Sequence, residues 1–116
     1  MNTQSAYQED TQLLLITQNR YNGNAESTVL NFRKDGGNFV VAARNESSHY
    51  KPDWYLNLKE EPVVQLTIAG SQLNAIAKTP VGTDRLKIWP LIESLAQQSP
   101  QVLPRDTTAI VFTPMQ

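Results

Sequence analysis

Apolar positions along the chain fall into short runs and alternations, separated by Pro, Gly and Asn. Leu13 to Ile16 is a continuous apolar run within Thr11 to Gln18 and predicts a first strand. The next residues, Asn19-Arg20-Tyr21-Asn22-Gly23-Asn24, predict a loop, because they tolerate turns and left-handed backbone. In Ser27 to Arg33, Thr28, Leu30 and Phe32 alternate with Ser27, Val29, Asn31 and Arg33, and Asn38 to Ala43 is again strand-like. Lys34-Asp35-Gly36-Gly37 between those two runs predicts a hairpin that pairs them through a tight turn with positive φ.

Further on, Pro52 at a first helical position followed by Asp53 to Leu58 predicts one or two helical turns, stopped by Pro62. Val63 to Ile68 and Ser71 to Lys78 read as strands joined at Ala69-Gly70; in the second, Leu73, Ala75 and Ala77 alternate with Gln72, Asn74 and Ile76. The period then changes. Ile88, Leu91, Ile92 and Leu95 stand at i, i+3, i+4 and i+7, one face of a helix from about Thr83 to Gln97. Pro90 inside it predicts a kink or a restart. Thr108 to Thr113 is a closing strand, ended by Pro114. Met1 to Asp10 is polar and aperiodic and is expected to fray, which leaves residues 11–116 as one domain. Short strands without βαβ alternation predict a mainly-β (α+β) class, a small antiparallel β-barrel of about six strands with a short and a longer outer helix.

Composition narrows the function classes. Ten cations against eleven anions leave a net charge of −1, which excludes a polybasic nucleic-acid surface and any general attraction to anionic membranes. Cys is absent, so disulfides, thiol catalysis and zinc–thiolate sites are excluded, and the lone His49 cannot build a His-rich metal site. The longest apolar run, Phe39 to Ala43, is far short of the ~20 residues of a membrane span. No basic n-region with an apolar stretch is visible, so a cytoplasmic location is the expectation.

Candidate chemistry is sparse. A Ser–His–acid arrangement would need His49, which sits in a polar loop beside Ser47 and Ser48 where a solvated His is the plainer reading. The adjacent Glu60 and Glu61 fall near a helix end and are expected to face water. No P-loop or Rossmann glycine pattern exists. Two stretches remain. Arg20 in the Asn/Gly loop suits an anion, since a guanidinium beside free backbone N–H groups matches phosphate; the plainer reading is a solvated turn residue. Trp54 and Tyr55 suit the wall of a planar ligand; the plainer reading is core, where aromatics on a short helix more often lie.

Those two stretches carry a family resemblance. Lys51 to Val64, with Pro52, Trp54, Tyr55, Asn57, Leu58, Pro62 and Val64, resembles the P-x-W-Y-x-N-L-x-x-x-P-x-V signature of the deazaflavin-dependent nitroreductase family. Arg85 with Trp89-Pro90 is similar to that family's R-x-x-x-W-P helix, and the likeness extends from about Thr11 to Pro114. The resemblance implies a split β-barrel of the flavin-binding pyridoxamine-oxidase type. It also implies a coenzyme, a deazaflavin of the F420 type or flavin mononucleotide (FMN), that passes hydride to quinones, nitro compounds or other conjugated small-molecule acceptors. On this resemblance Arg20, Asn22 and Gly23 would meet the coenzyme phosphate, Arg44 and Asn45 would assist, and Trp54, Tyr55 and Asn57 would shape and brace the ring pocket. A homodimer is implied as well.

The departures are local. The family's phosphate loop reads G-R-K-S-G with a further Arg three residues on; here it reads Asn19-Arg20-Tyr21-Asn22-Gly23, and Glu26 stands at the Arg position. The family's S-K-G-G stretch is Ala43-Arg44-Asn45-Glu46 here, and Glu93 to Leu103 lacks the Tyr residues of the quinone-reducing members' acceptor segment. Two functions are therefore expected: a deazaflavin- or flavin-dependent reductase, or a non-catalytic split barrel that has lost the coenzyme and serves as a ligand-binding or interaction module.

Overall fold

The computed structural model describes residues 11–44, 51–96 and 107–115. Seven antiparallel strands form one curled sheet: β1 (Gln12–Gln18), β2 (Ala25–Asn31), β3 (Arg33–Asp35), β4 (Asn38–Arg44), β5 (Val63–Ile68), β6 (Ser71–Lys78) and β7 (Thr107–Pro114). Two helices accompany it, α1 (Asp53–Glu60) and α2 (Gly82–Ala96). The strand order is β2-β1-β5-β6-β7-β4-β3. The sheet curls until β2, at one edge, comes against β4 near the other, giving the half-barrel. Among the described residues no helix is long and apolar enough to cross a membrane.

The expected hairpin is corrected in one respect. The turn at Gly36-Gly37 forms, with Asp35 opposite Asn38 and φ +62° at Gly36, the left-handed first position of a type II′ turn. Its first arm is only β3, however. The segment before it, β2, leaves this hairpin and pairs along its whole length with β1, from Gln12 opposite Asn31 to Gln18 opposite Ala25. Phe32 lies between the two strands, buried and edge-on to Phe39 with ring centroids 5.7 Å apart. Splitting the run in this way raises the strand count to seven.

Alternation decides the two faces. On the inner face Leu13, Leu15, Val41, Ala43, Val64, Leu66, Ala75, Ala77, Ile110 and Phe112 join Trp54 and Leu58 of α1 in one core. On the outer face Val40 and Ala109 pack with Ile88, Ile92 and Leu95 of α2. Strand β4 is covered on both sides, which is why Phe39 to Ala43 is continuously apolar rather than alternating. Helix α2 runs through Pro90 without a restart; the exposed ring removes one backbone donor, while Ile88 before it and Ile92 and Leu95 after it are all buried. Pro52 is the N-cap of α1 rather than its first helical residue, and its carbonyl accepts from Tyr55 N at 3.1 Å.

Candidate functional site

Helix α1 packs over β1 and β2, and the contact is polar where it meets the β1–β2 loop. Asn57, 1% exposed, is the centre. Its Oδ1 accepts from Arg20 Nη1 at 2.8 Å and from Arg20 N at 3.2 Å. Its Nδ2 donates to Glu26 Oε1 at 2.9 Å and to Thr17 Oγ1 at 3.4 Å. Both lone pairs and both donors of the amide are thus engaged, which is what permits a buried Asn. Glu26 in turn accepts from Asn19 Nδ2 at 2.8 Å through its other oxygen.

The loop itself closes on Asn19. Asn19 Oδ1 accepts from Tyr21 N at 2.8 Å and Asn22 N at 3.1 Å, the side chain standing in for a turn carbonyl. Gly23 N donates to Asn19 O at 2.8 Å, and Asn24 N donates to Asn22 Oδ1 at 2.9 Å. Gly23 takes φ +77°, which an L side chain would resist.

Arg20 is the cation of this region. Beyond Asn57, its Nη2 reaches Asp53 Oδ1 at 3.4 Å, and its Cζ lies 4.7 Å from the centroid of the exposed Tyr21 ring. Partial desolvation opposes the charge, but Tyr21 and Asp53 outweigh it and the guanidinium pKa is pushed up. The Asp53 carboxylate is 82% exposed and the contact is long, so solvent screens this ion pair and it contributes little.

On the far flank of α1, Tyr55 is half-buried, with Lys51 Nζ 6.0 Å and Lys59 Nζ 5.8 Å from its ring centroid. Lys51 Nζ also donates to Ala43 O at 3.3 Å, tying the end of β4 to the start of α1. Trp54 sits edge-on to Tyr55 with centroids 6.4 Å apart.

Of the residues expected at the site, Arg20 and Asn57 are brought into direct contact. Asn22 and Gly23 lie exposed in the loop beside them. Trp54 belongs to the inner core and Tyr55 packs against it. Arg44 is exposed at the end of β4, opposite Thr107; Asn45 and His49 lie outside the described residues. Glu60 and Glu61 are exposed. Arg85 stacks on Trp89, Cζ to centroid 4.1 Å, on the outer-face helix and away from this cluster. Sequence reasoning missed Asn19, Thr17 and Asp53 as members, and read Glu26 only as a misplaced charge. An Asn opening an Asn/Gly turn is the one advance signal among these.

The comparisons with known proteins bear on the family and the fold. The profile of the F420H(2)-dependent quinone reductase family matches residues 2–109. An F420H(2)-dependent quinone reductase of Mycobacterium tuberculosis is 27% identical over 82 residues, 69% of this chain and 55% of that protein, so the chain spans about half the length of its curated relative. Among solved structures, an F420-H2-dependent reductase superposes with TM-score 0.67 at 17% identity, over 88% of this chain and 93% of that one. A protein described as a domain-swapped dimer superposes with TM-score 0.72 at 19% identity, over 90% and 81%. At such identities the two structures establish the fold, while the profile covers nearly the whole sequence: the chain belongs to the F420H(2)-dependent quinone reductase family.

Proposed function

We propose that the chain acts as an F420H2-dependent reductase, delivering hydride to a quinone or another conjugated small-molecule acceptor. The observation that carries this reading is the family match across residues 2–109 together with the α1 segment it contains. In this reading Tyr55 offers the coenzyme ring an aromatic wall, Trp54 backs it from the core, and Asn57 braces α1 against the loop. Arg20 and Arg44, with Asn45, are the residues assigned to the coenzyme's anionic end. The hydride comes from the reduced coenzyme, so the protein need supply only binding, orientation and exclusion of water.

The two ends of the coenzyme fare differently when set against the residues present. A half-exposed Tyr55 backed by buried Trp54 fits a planar ring. The loop fits an anion poorly, because its backbone donors already have acceptors and Glu26 lies within the cluster. That mismatch is the observation that favours the second reading, a split barrel that binds a ligand without reducing it. Anaerobic mixing of the protein with F420H2 and a water-soluble quinone tests the choice. A reductase speeds coenzyme oxidation well above the protein-free rate with half-saturation below about 1 mM; no acceleration, with ring binding retained, transfers the function to the second reading.

A homodimer belongs to the same proposal. The domain-swapped dimer among the structural neighbours supports it. So does a row of outward apolar side chains on neighbouring strands: Leu14 opposite Val29, then Ile16, and Val63 opposite Ile76. Val29 and Val63 are 40% and 43% exposed. Sedimentation equilibrium giving a mass of one chain at micromolar concentration would remove this part.

A further inference from the structure

We infer that the β1–β2 loop has become an anion-refusing loop, with Asn19 and Glu26 as its specificity-determining residues. The ligand class it favours is then a deazaflavin or flavin without a phosphate, at the level of the nucleoside. The inference rests on the reading of the chain as a coenzyme-binding protein and names which form of coenzyme the site takes.

Five consecutive backbone amides carry the argument. Arg20 N donates to Asn57 Oδ1, Tyr21 N and Asn22 N to Asn19 Oδ1, Gly23 N to Asn19 O, and Asn24 N to Asn22 Oδ1. A cradle for phosphate needs successive N–H groups turned toward a common point with no acceptor there. Here that point is filled by the protein's own carboxamide oxygen. An incoming phosphate oxygen would have to displace Asn19 Oδ1 from two amides at 2.8 and 3.1 Å and find a new partner for it.

Charge acts in the same direction. Asn19 is held in place by Glu26 Oε2, and Glu26 Oε1 holds Asn57, so the residue that fills the cradle is itself anchored by a carboxylate. The one guanidinium of the cluster faces two carboxylates, Glu26 through Asn57 and Asp53 directly. Two of Arg20's terminal nitrogens are committed to α1, and its ring-stacking face is taken by Tyr21. A side chain this occupied orients the helix more than it attracts a ligand. A neutral ribityl or nucleoside end meets none of these penalties.

Two measurements on the folded protein test the inference. Fluorescence titration compares F420 with its phosphate-free deazaflavin nucleoside, and FMN with riboflavin. The wild type should bind the phosphate-free member of each pair more tightly by about threefold or more, whereas Asn19→Gly with Glu26→Arg should favour the phosphorylated member by about tenfold or more, the worth of one charge-assisted contact. Glu26→Gln, which keeps the size of the side chain, should move the ratio in the same direction by a smaller factor. A wild type that binds the two members equally, or prefers the phosphorylated one, would overturn the inference.

Inorganic phosphate followed by amide chemical shifts gives the second readout, independent of any ring. The amides of Tyr21, Asn22 and Gly23 should stay unmoved in the wild type and shift in the double variant; shifts at those amides in the wild type would overturn the inference. If no ring compound binds either protein while the phosphate result is as expected, the coenzyme reading falls and the character of the loop stands.

Discussion

The two helices cover opposite faces of one sheet by opposite means. Helix α2 lies on β4 and β7 through Ile88, Ile92 and Leu95 against Val40 and Ala109, a contact made of shape and area. Helix α1 buries Trp54 and Leu58 in the inner core, yet its register against the β1–β2 loop is fixed by an amide, a guanidinium and a carboxylate. Apolar packing tolerates small slides between neighbours, because dispersion is not directional. A fully engaged buried Asn does not, since each donor and acceptor needs its partner within a narrow range of distance and angle. The side of the barrel proposed to meet the coenzyme is therefore the one held by directional bonds, and the far side supplies stability.

That contrast can be broken from either side. The largest expected effect is on the α2 face: Ile92→Ala should cost about 2–5 kcal/mol in denaturant unfolding, since the side chain is 1% exposed, and should leave the amide shifts of residues 19–24 in place. Asn57→Ala should cost less, about 1–3 kcal/mol, because Arg20 and Glu26 can recover water, but it should perturb every amide of the loop. Equal loop perturbation by the two variants would erase the distinction between the helices.

Two smaller changes sharpen it. Ala69 and Gly70 form the β5–β6 turn with φ +51° and +82°, so a Cβ sits in left-handed backbone at position 69. Ala69→Gly should raise stability by about 0.5–1 kcal/mol, the left-handed penalty less the added chain entropy of glycine, with no change in loop or ligand behaviour. Smallest of all, Asp53→Ala should alter stability by less than about 0.5 kcal/mol, because its carboxylate is exposed and its ion pair with Arg20 is long. A loss near that of Asn57→Ala would mean that the ion pair, and not the amide, holds the loop.

How far such features can be read from residues alone depends on the range of the interaction. The continuous run Phe39 to Ala43 carried real information, since a strand buried on both faces has no polar side to show. The i, i+3, i+4, i+7 set from Ile88 likewise marked the face that α2 buries. Residues 27–33 misled, because alternation fixes which face a side chain takes and not which strand lies alongside. Leu30 suits a place opposite Leu13 as well as one in the later hairpin, and only the fold chooses. At the site, the likeness of Lys51 to Val64 to a family signature located α1, but Arg20 and Asn57 lie 37 residues apart and their contact has no local trace. Glu26 was the harder case. A lone carboxylate on an exposed strand reads as solvated, and nothing nearby announces that it holds two Asn side chains at once.

The loop refuses an anion because its amides already have partners, and amide hydrogen exchange of the unliganded protein at Tyr21 and Asn22 measures that directly. With Asn19 Oδ1 accepting from both, their exchange should run at least about tenfold slower than in an unstructured peptide and should not slow further when phosphate is added. Exchange at the peptide rate, or protection that arises only with phosphate, would show amides open to an anion and contradict the account.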